Sequence, residues 1–230
     1  MSSSYSLYEM TSFPGLEIGE SVEVIQQLKL LDEIDRPPET KFKLQRQITE
    51  LDADVFRVHH EYIDNRVGRV QGITFKAFIA MVDFPAYYYR SKKLFMVKAN
   101  KNWARGAMRQ LTKDAPDVSG KYKKISLDSI KHLIDSFKGV YFSVEDSTDV
   151  STLALFGPSV NHDIRFVVAS DEGAMNYARF DYQFEQEVFH IGISNDSNVV
   201  LYDNNLDEYL ELDLVLDIKT KLLDKAQERV

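Results

Sequence analysis

The chain has 230 residues, 44% hydrophobic, 28% charged and 12% aromatic, which is too apolar for a disordered chain and long enough to bury a core as one large domain or two small ones. It contains no cysteine, which excludes disulfides, iron–sulfur clusters, cysteine-type zinc sites and thiol nucleophiles. A net charge of −8 argues against a uniformly basic nucleic-acid binder, but between Arg90 and Lys124 eleven Lys and Arg face only two Asp, a net of +9, while the rest of the chain carries −17.

Residues 1–16 (MSSSYSLYEMTSFPGL) are Ser-rich, end at Pro14-Gly15 and read as a mobile tail. They show no basic region followed by an apolar one, so no signal peptide is expected. Apolar runs such as Phe78 to Val82 are far too short for a membrane span, and a soluble cytoplasmic protein is the expectation. Over residues 17–33, Val22, Ile25, Leu28, Leu30 and Leu31 stand near helical spacing, with Glu17, Glu20 and Glu23 at the end the helix dipole favours. Arg36-Pro37-Pro38 stops this helix. Residues 41–51 fit a short helix or a strand.

A strand-rich block follows. Val55 to Ile63, a turn at Asp64-Asn65, and Val67 to Phe75 read as a hairpin. Phe78 to Val82, Tyr87 to Tyr89 and Leu94 to Val97 are further strands, broken at Pro85 and Ser91-Lys92-Lys93. The pattern then turns helical. Trp103, Ala107, Met108 and Leu111 share one face, Lys101, Arg105 and Arg109 lie mainly on the other, and Asn100 or Asn102 supplies the N-cap. Residues 114–124 (DAPDVSGKYKK) read as a basic linker.

Beyond the linker, Ser126 marks the start of a helix carrying Leu127, Ile130, Leu133, Ile134 and Phe137. Strands are expected at 140–144, 153–156 and 164–168, then at 177–184, 188–193 and 199–202 as a meander. A last helix from about Leu206 carries Leu212, Val215, Leu216, Leu222, Leu223 and Ala226. Adjacent, hairpin-linked strands imply an α+β class with mainly antiparallel sheets and flanking helices. The two sub-domains, residues 17–113 and 125–230, are each strands followed by a helix.

The basic stretch is the strongest chemical signal. Lys and Arg neutralise phosphates and aromatic faces stack on bases. The candidate binding residues are Arg90, Lys92, Lys93, Lys98, Lys101, Arg105, Arg109, Lys121, Lys123 and Lys124, with Trp103 and Tyr122 and the flanking Tyr87-Tyr88-Tyr89. Lys101, Arg105 and Arg109 at four-residue spacing form a positive ridge on one helical face. The bland reading is a solvated face over a core that holds Trp103 and the tyrosines. A third reading docks the stretch on an acidic partner or a second copy, through acids such as Asp207, Glu208, Glu211, Asp213 and Asp217.

Other constellations are weaker. His59-His60-Glu61 and Asp64 suggest a metal, but neighbouring histidines on a strand point to opposite faces. His132, His162 and His190 are scattered, and the acidic loop Glu145, Asp146, Asp149 reads as a solvated turn. A nuclease site with Asp83 and Lys98 fails because Met96 occupies the place of the second acid. No phosphate-loop, dinucleotide or nucleophile-elbow motif is present. The expectation is a non-enzymatic accessory protein that binds nucleic acid, with no metal, cofactor or catalytic residue. The alternatives are a protein-interaction module using charge complementarity and a carboxylate-dependent enzyme such as a nuclease.

Overall fold

The structure, a computed structural model, describes residues 2–26, 36–144 and 151–227. It is mostly antiparallel sheet with helices, and it divides into two compact units: Ser6–Lys121, and Met1–Tyr5 together with Tyr122–Val230. Among the described residues no helix is long and apolar enough to cross a membrane.

In the Ser6–Lys121 unit the strands are β1 (Ser3–Ser12, its start counted with the other unit), β2 (Ser21–Ile25), β3 (Glu39–Ile48) and β4 (Ala53–Asp64). They continue with β5 (Gly68–Val70), β6 (Ile73–Phe75), β7 (Phe78–Tyr89), β8 (Leu94–Lys98) and β9 (Ser119–Lys121), and helix α1 (Lys101–Asp114) lies between the last two. The spatial order is β1-β8-β7-β4-β3-β2, with β9 on β1 and the β5–β6 hairpin separate. β4 and β7 pair without interruption from Ala53↔Tyr89 to Asp64↔Phe78. The expected hairpin of 55–63 with 67–75 is therefore replaced by β4 with β7, and β5–β6 is a small hairpin between them.

Pro85 does not break β7. β8 pairs only with Ala86 to Tyr89, so Pro85 stands on a stretch of β7 with a single neighbouring strand, the setting in which a sheet tolerates proline. Phe42, Phe56, Val58, Phe84, Phe95 and Val97 are buried, and Ala104, Ala107, Met108 and Leu111 of α1 are buried with them. Two further expectations are corrected. Residues 21–25 form a strand because Val24 turns inward and the segment pairs with β3 from Ser21↔Lys43 to Ile25↔Glu39; residues 27–33 of the expected helix lie outside the described ones. Residues 1–16 are not a tail. β1 buries Tyr5, Leu7, Tyr8 and Met10, and the Phe13 ring packs 4.9 Å from Tyr88 and 5.3 Å from Phe95.

The other unit holds β10 (Phe137–Val144), β11 (Thr152–Phe156), β12 (Gly173–Phe184), β13 (Glu187–Ser194) and β14 (Asn198–Leu201) in the order β11-β10-β12-β13-β14. The meander β12-β13-β14 forms as expected, and in β12 Ala178, Phe180 and Tyr182 turn inward in alternation. The segment after Ser126 is a 3-10 helix, Leu127–Leu133, and the Ser126 side chain does not cap it.

Residues 164–168 are not a strand but part of α2 (Ile164–Glu172). The Asp163 side chain accepts a hydrogen bond from the Arg165 amide at 2.8 Å, and this N-cap overrides the β-branched composition. Phe166 then packs on Phe137 and Phe142 at 5.7 and 5.5 Å. Helix α3 (Glu208–Ile218) is capped by Asp207 and runs into a π-helical turn, Lys219–Leu223. Two of its acids are engaged within this unit: Glu211 is buried and accepts from Ser3 Oγ at 2.7 Å and from the Tyr5 hydroxyl, while Asp217 accepts from the Tyr182 hydroxyl and pairs with Lys221; Asp213 is exposed. The Glu145, Asp146, Asp149 loop lies outside the described residues.

Candidate nucleic-acid interface

Helix α1 is built by local chemistry. Asn100 caps it by accepting from the Asn102 amide at 2.9 Å, and Ala104, Ala107, Met108 and Leu111 form the stripe that meets the sheet. The opposite face carries Lys101, Arg105, Arg109 and Lys113 at successive four-residue steps, each turned about 40° from the last around an ideal helix. Arg109 and Lys113 are exposed, and Lys101 and Arg105 are half-buried. Trp103 has 39% of its surface exposed, on a flank of the helix turned about 160° from Lys101 and Arg105. Lys101 occupies the first helical position, where the helix dipole disfavours a cation, and no acid stands in the first turn.

The other candidates are less uniform. Lys92 and Lys93 are exposed at the β7–β8 turn, Lys98 is half-buried at the end of β8, and Lys121 is exposed on β9. Arg90 is exposed and pairs with Asp52 at 3.3 Å and Asp54 at 3.8 Å. Tyr122, Lys123 and Lys124 belong to the other unit, where the Lys123 carbonyl accepts from Ser197 Oγ at 2.6 Å. Tyr87, Tyr88 and Tyr89 are 2%, 8% and 0% exposed, so they are core residues and offer no stacking face. Their run of three covers both faces of β7, and both faces are packed there.

Between α1 and the sheet lies a buried polar network. Thr40 Oγ1 donates to Gln110 Oε1, which leaves it to accept from His60 Nδ1 at 2.8 Å, and Gln110 Nε2 donates to Gln26 Oε1 at 2.9 Å. Burial pushes the His60 imidazole down to about 4, helped by the charges of His59 and Arg109, so it is neutral at pH 7.

Because His60 faces α1, the alternating residues His59 and Glu61 face the other side of the sheet. There Glu23, Lys41, His59 and Asp83 stand in one row across β2, β3, β4 and β7. Lys41 pairs with Glu23, His59 Nδ1 lies 3.2 Å from Asp83 Oδ1, and Arg57 lies 3.5 Å from Asp83 Oδ2. Beside this row Arg36 grips both oxygens of the buried Glu61, at 2.6 and 2.7 Å, and holds its carboxyl below the usual range. Reading neighbours along the chain missed this constellation. The signal lay in the i, i+2 spacing of His59 and Glu61, and in Asp83 opposite His59 across the β4–β7 pair. Among the described residues these acids gather on the sheet face turned away from α1 and its cations.

Against known proteins, the chain matches no protein-family model and no curated protein.

Proposed function

We propose that the protein is a non-enzymatic nucleic-acid-binding accessory protein whose contact surface is the solvent face of α1. The observation that carries this reading is the cation ridge of Lys101, Arg105 and Arg109 on the solvent face of α1, with Trp103 part-exposed on another flank of the same helix. Guanidinium and ammonium groups at this spacing meet successive phosphates, and an exposed indole stacks on a base. Lys92, Lys93, Lys98 and Lys121 add positive charge from the same unit. On this reading the two units act as sub-domains, the first carrying the binding helix, in a protein working in the cytoplasm.

The test is fluorescence anisotropy with labelled single-stranded and duplex DNA and RNA over a salt series. Binding should weaken steeply with salt, and the combined substitution of Lys101, Arg105 and Arg109 by Glu should abolish it. Absence of binding to every oligonucleotide at low salt sinks the reading, as does a triple variant that binds like the parent. If light scattering then shows assemblies that dissociate with salt, the ridge serves a protein partner or a second copy.

A further inference from the structure

We propose that His59, Glu61 and Glu39, on the sheet face turned away from α1, form a binding site for one divalent transition-metal ion of the zinc type, which enters by displacing the Arg36 guanidinium. One ligand atom from each of the three lies within 4.8 Å of the other two, close enough for small side-chain rotations to bring all onto one ion. An imidazole with two carboxylates is a donor set suited to zinc and its neighbours rather than to calcium or magnesium, and three protein ligands leave a fourth position for water.

His59 is oriented for the task. Its Nδ1 lies 3.2 Å from Asp83 Oδ1, a carboxylate that accepts its N–H, and its Nε2, 3.7 Å from Glu61 Oε1, is the ring nitrogen left to meet an ion. Asp83 is thus a positioning residue, in the carboxylate–imidazole–metal arrangement that fixes a ligand's tautomer. The position is already a cation site, because Arg36 occupies it with both forks on Glu61. Glu61 is 2% exposed whereas the Arg36 side chain is 52% exposed, so the carboxylate stays in place and the guanidinium has solvent to move into.

The bland alternative is a cross-strand ion-pair ladder. It accounts for Glu23 with Lys41 and for Arg57 with Asp83. It does not account for Glu39, whose carboxylate stands by that of Glu61 while its amide donates to Glu61 Oε2 at 3.0 Å. Glu39 and Glu61 therefore offer two carboxylates to one ion beside the His59 ring. His190 makes a useful contrast. Its two ring nitrogens lie 2.9 Å from Asp203 and 3.7 Å from Asp181, but those groups do not gather around one point as His59, Glu61 and Glu39 do.

The experiment is calorimetric titration of the full, chelator-treated chain with zinc chloride near pH 7, with circular dichroism to confirm each variant's fold. Saturable binding of a single ion is expected. His59→Ala should weaken it by at least about 100-fold and Asp83→Asn by about 10–100-fold, while His190→Ala leaves it unchanged. Arg36→Ala, which removes the competing cation, should tighten binding, an effect that a purely structural ladder does not produce. No saturable binding, a His59→Ala variant that binds like the parent, or an Arg36→Ala variant with no gain overturns the proposal.

Discussion

Gly106 of α1 lies directly against His60 of β4: a Cβ at position 106 would stand 2.7 Å from the imidazole Nε2. The contact sets how closely the helix approaches the sheet. His60 cannot yield cheaply, because it is 2% exposed, its Nδ1 is bonded to Thr40, and its ring stacks on Tyr62 at 5.9 Å. In an exposed helix a Gly→Ala change is stabilising by about 1 kcal/mol. Here Gly106→Ala should instead destabilise by about 1–3 kcal/mol, the usual cost of overpacking. Urea denaturation decides, and a stabilised variant would contradict this account of the helix–sheet contact.

His60 also makes stability depend on pH. Its folded value of about 4 lies below the ordinary 6.5, so between those limits the unfolded chain takes up a proton that the folded chain refuses. Stability should therefore fall as pH drops from 6.5 toward 4, by about 3 kcal/mol for this group alone, and no further below that. His60→Gln should remove that part of the pH dependence. The check is unfolding free energy of both proteins at pH 7 and pH 4.5, where parallel losses would refute the assignment.

Trp103 and Tyr87 are both aromatic neighbours of the basic residues, yet they should respond differently to substitution. Trp103→Ala should cost less folding stability than Tyr87→Ala, because the ring is 39% exposed, and should weaken nucleic-acid binding by about 1–3 kcal/mol. Tyr87→Ala removes a ring that is 2% exposed and should cost about 3–5 kcal/mol of folding. Paired measurements of melting temperature and anisotropy separate the two effects.

The start of the chain should behave as structure. Tyr5 is fully buried and its hydroxyl donates to the buried Glu211 of α3. Tyr5→Ala, which also leaves that carboxylate short of a donor, should destabilise by at least about 3 kcal/mol. Tyr5→Phe should lose about 1–3 kcal/mol, the cost of the missing hydrogen bond alone. Calorimetry that finds both variants as stable as the parent would restore the reading of a free tail.

Much of the second unit could be read directly. Residues 177–184 alternate, and the strands up to 202 are separated by polar turns, a local code that holds whatever lies around it. Asn100 announced α1 in the same way, since an N-cap needs only its own amide neighbours. Ile164 to Val168 misled because β-branched composition is a weak preference, and one cap bond from Asp163 with burial of Phe166 outweighed it. Ser2 to Ser4 misled because serine content says nothing about what Tyr5, Leu7 and Met10 bury against.

The sequence by itself determined the concentration of charge between Arg90 and Lys124, and the helix that places Lys101, Arg105 and Arg109 on one face, since charge and helical period are local properties. Only the tertiary structure decided which aromatics remain exposed: Trp103 does, while Tyr87, Tyr88 and Tyr89 are consumed by packing on both faces of β7. It alone placed Glu39, His59, Glu61 and Asp83 together, because strand register sets such neighbours, and register is fixed by pairing between segments far apart in the chain.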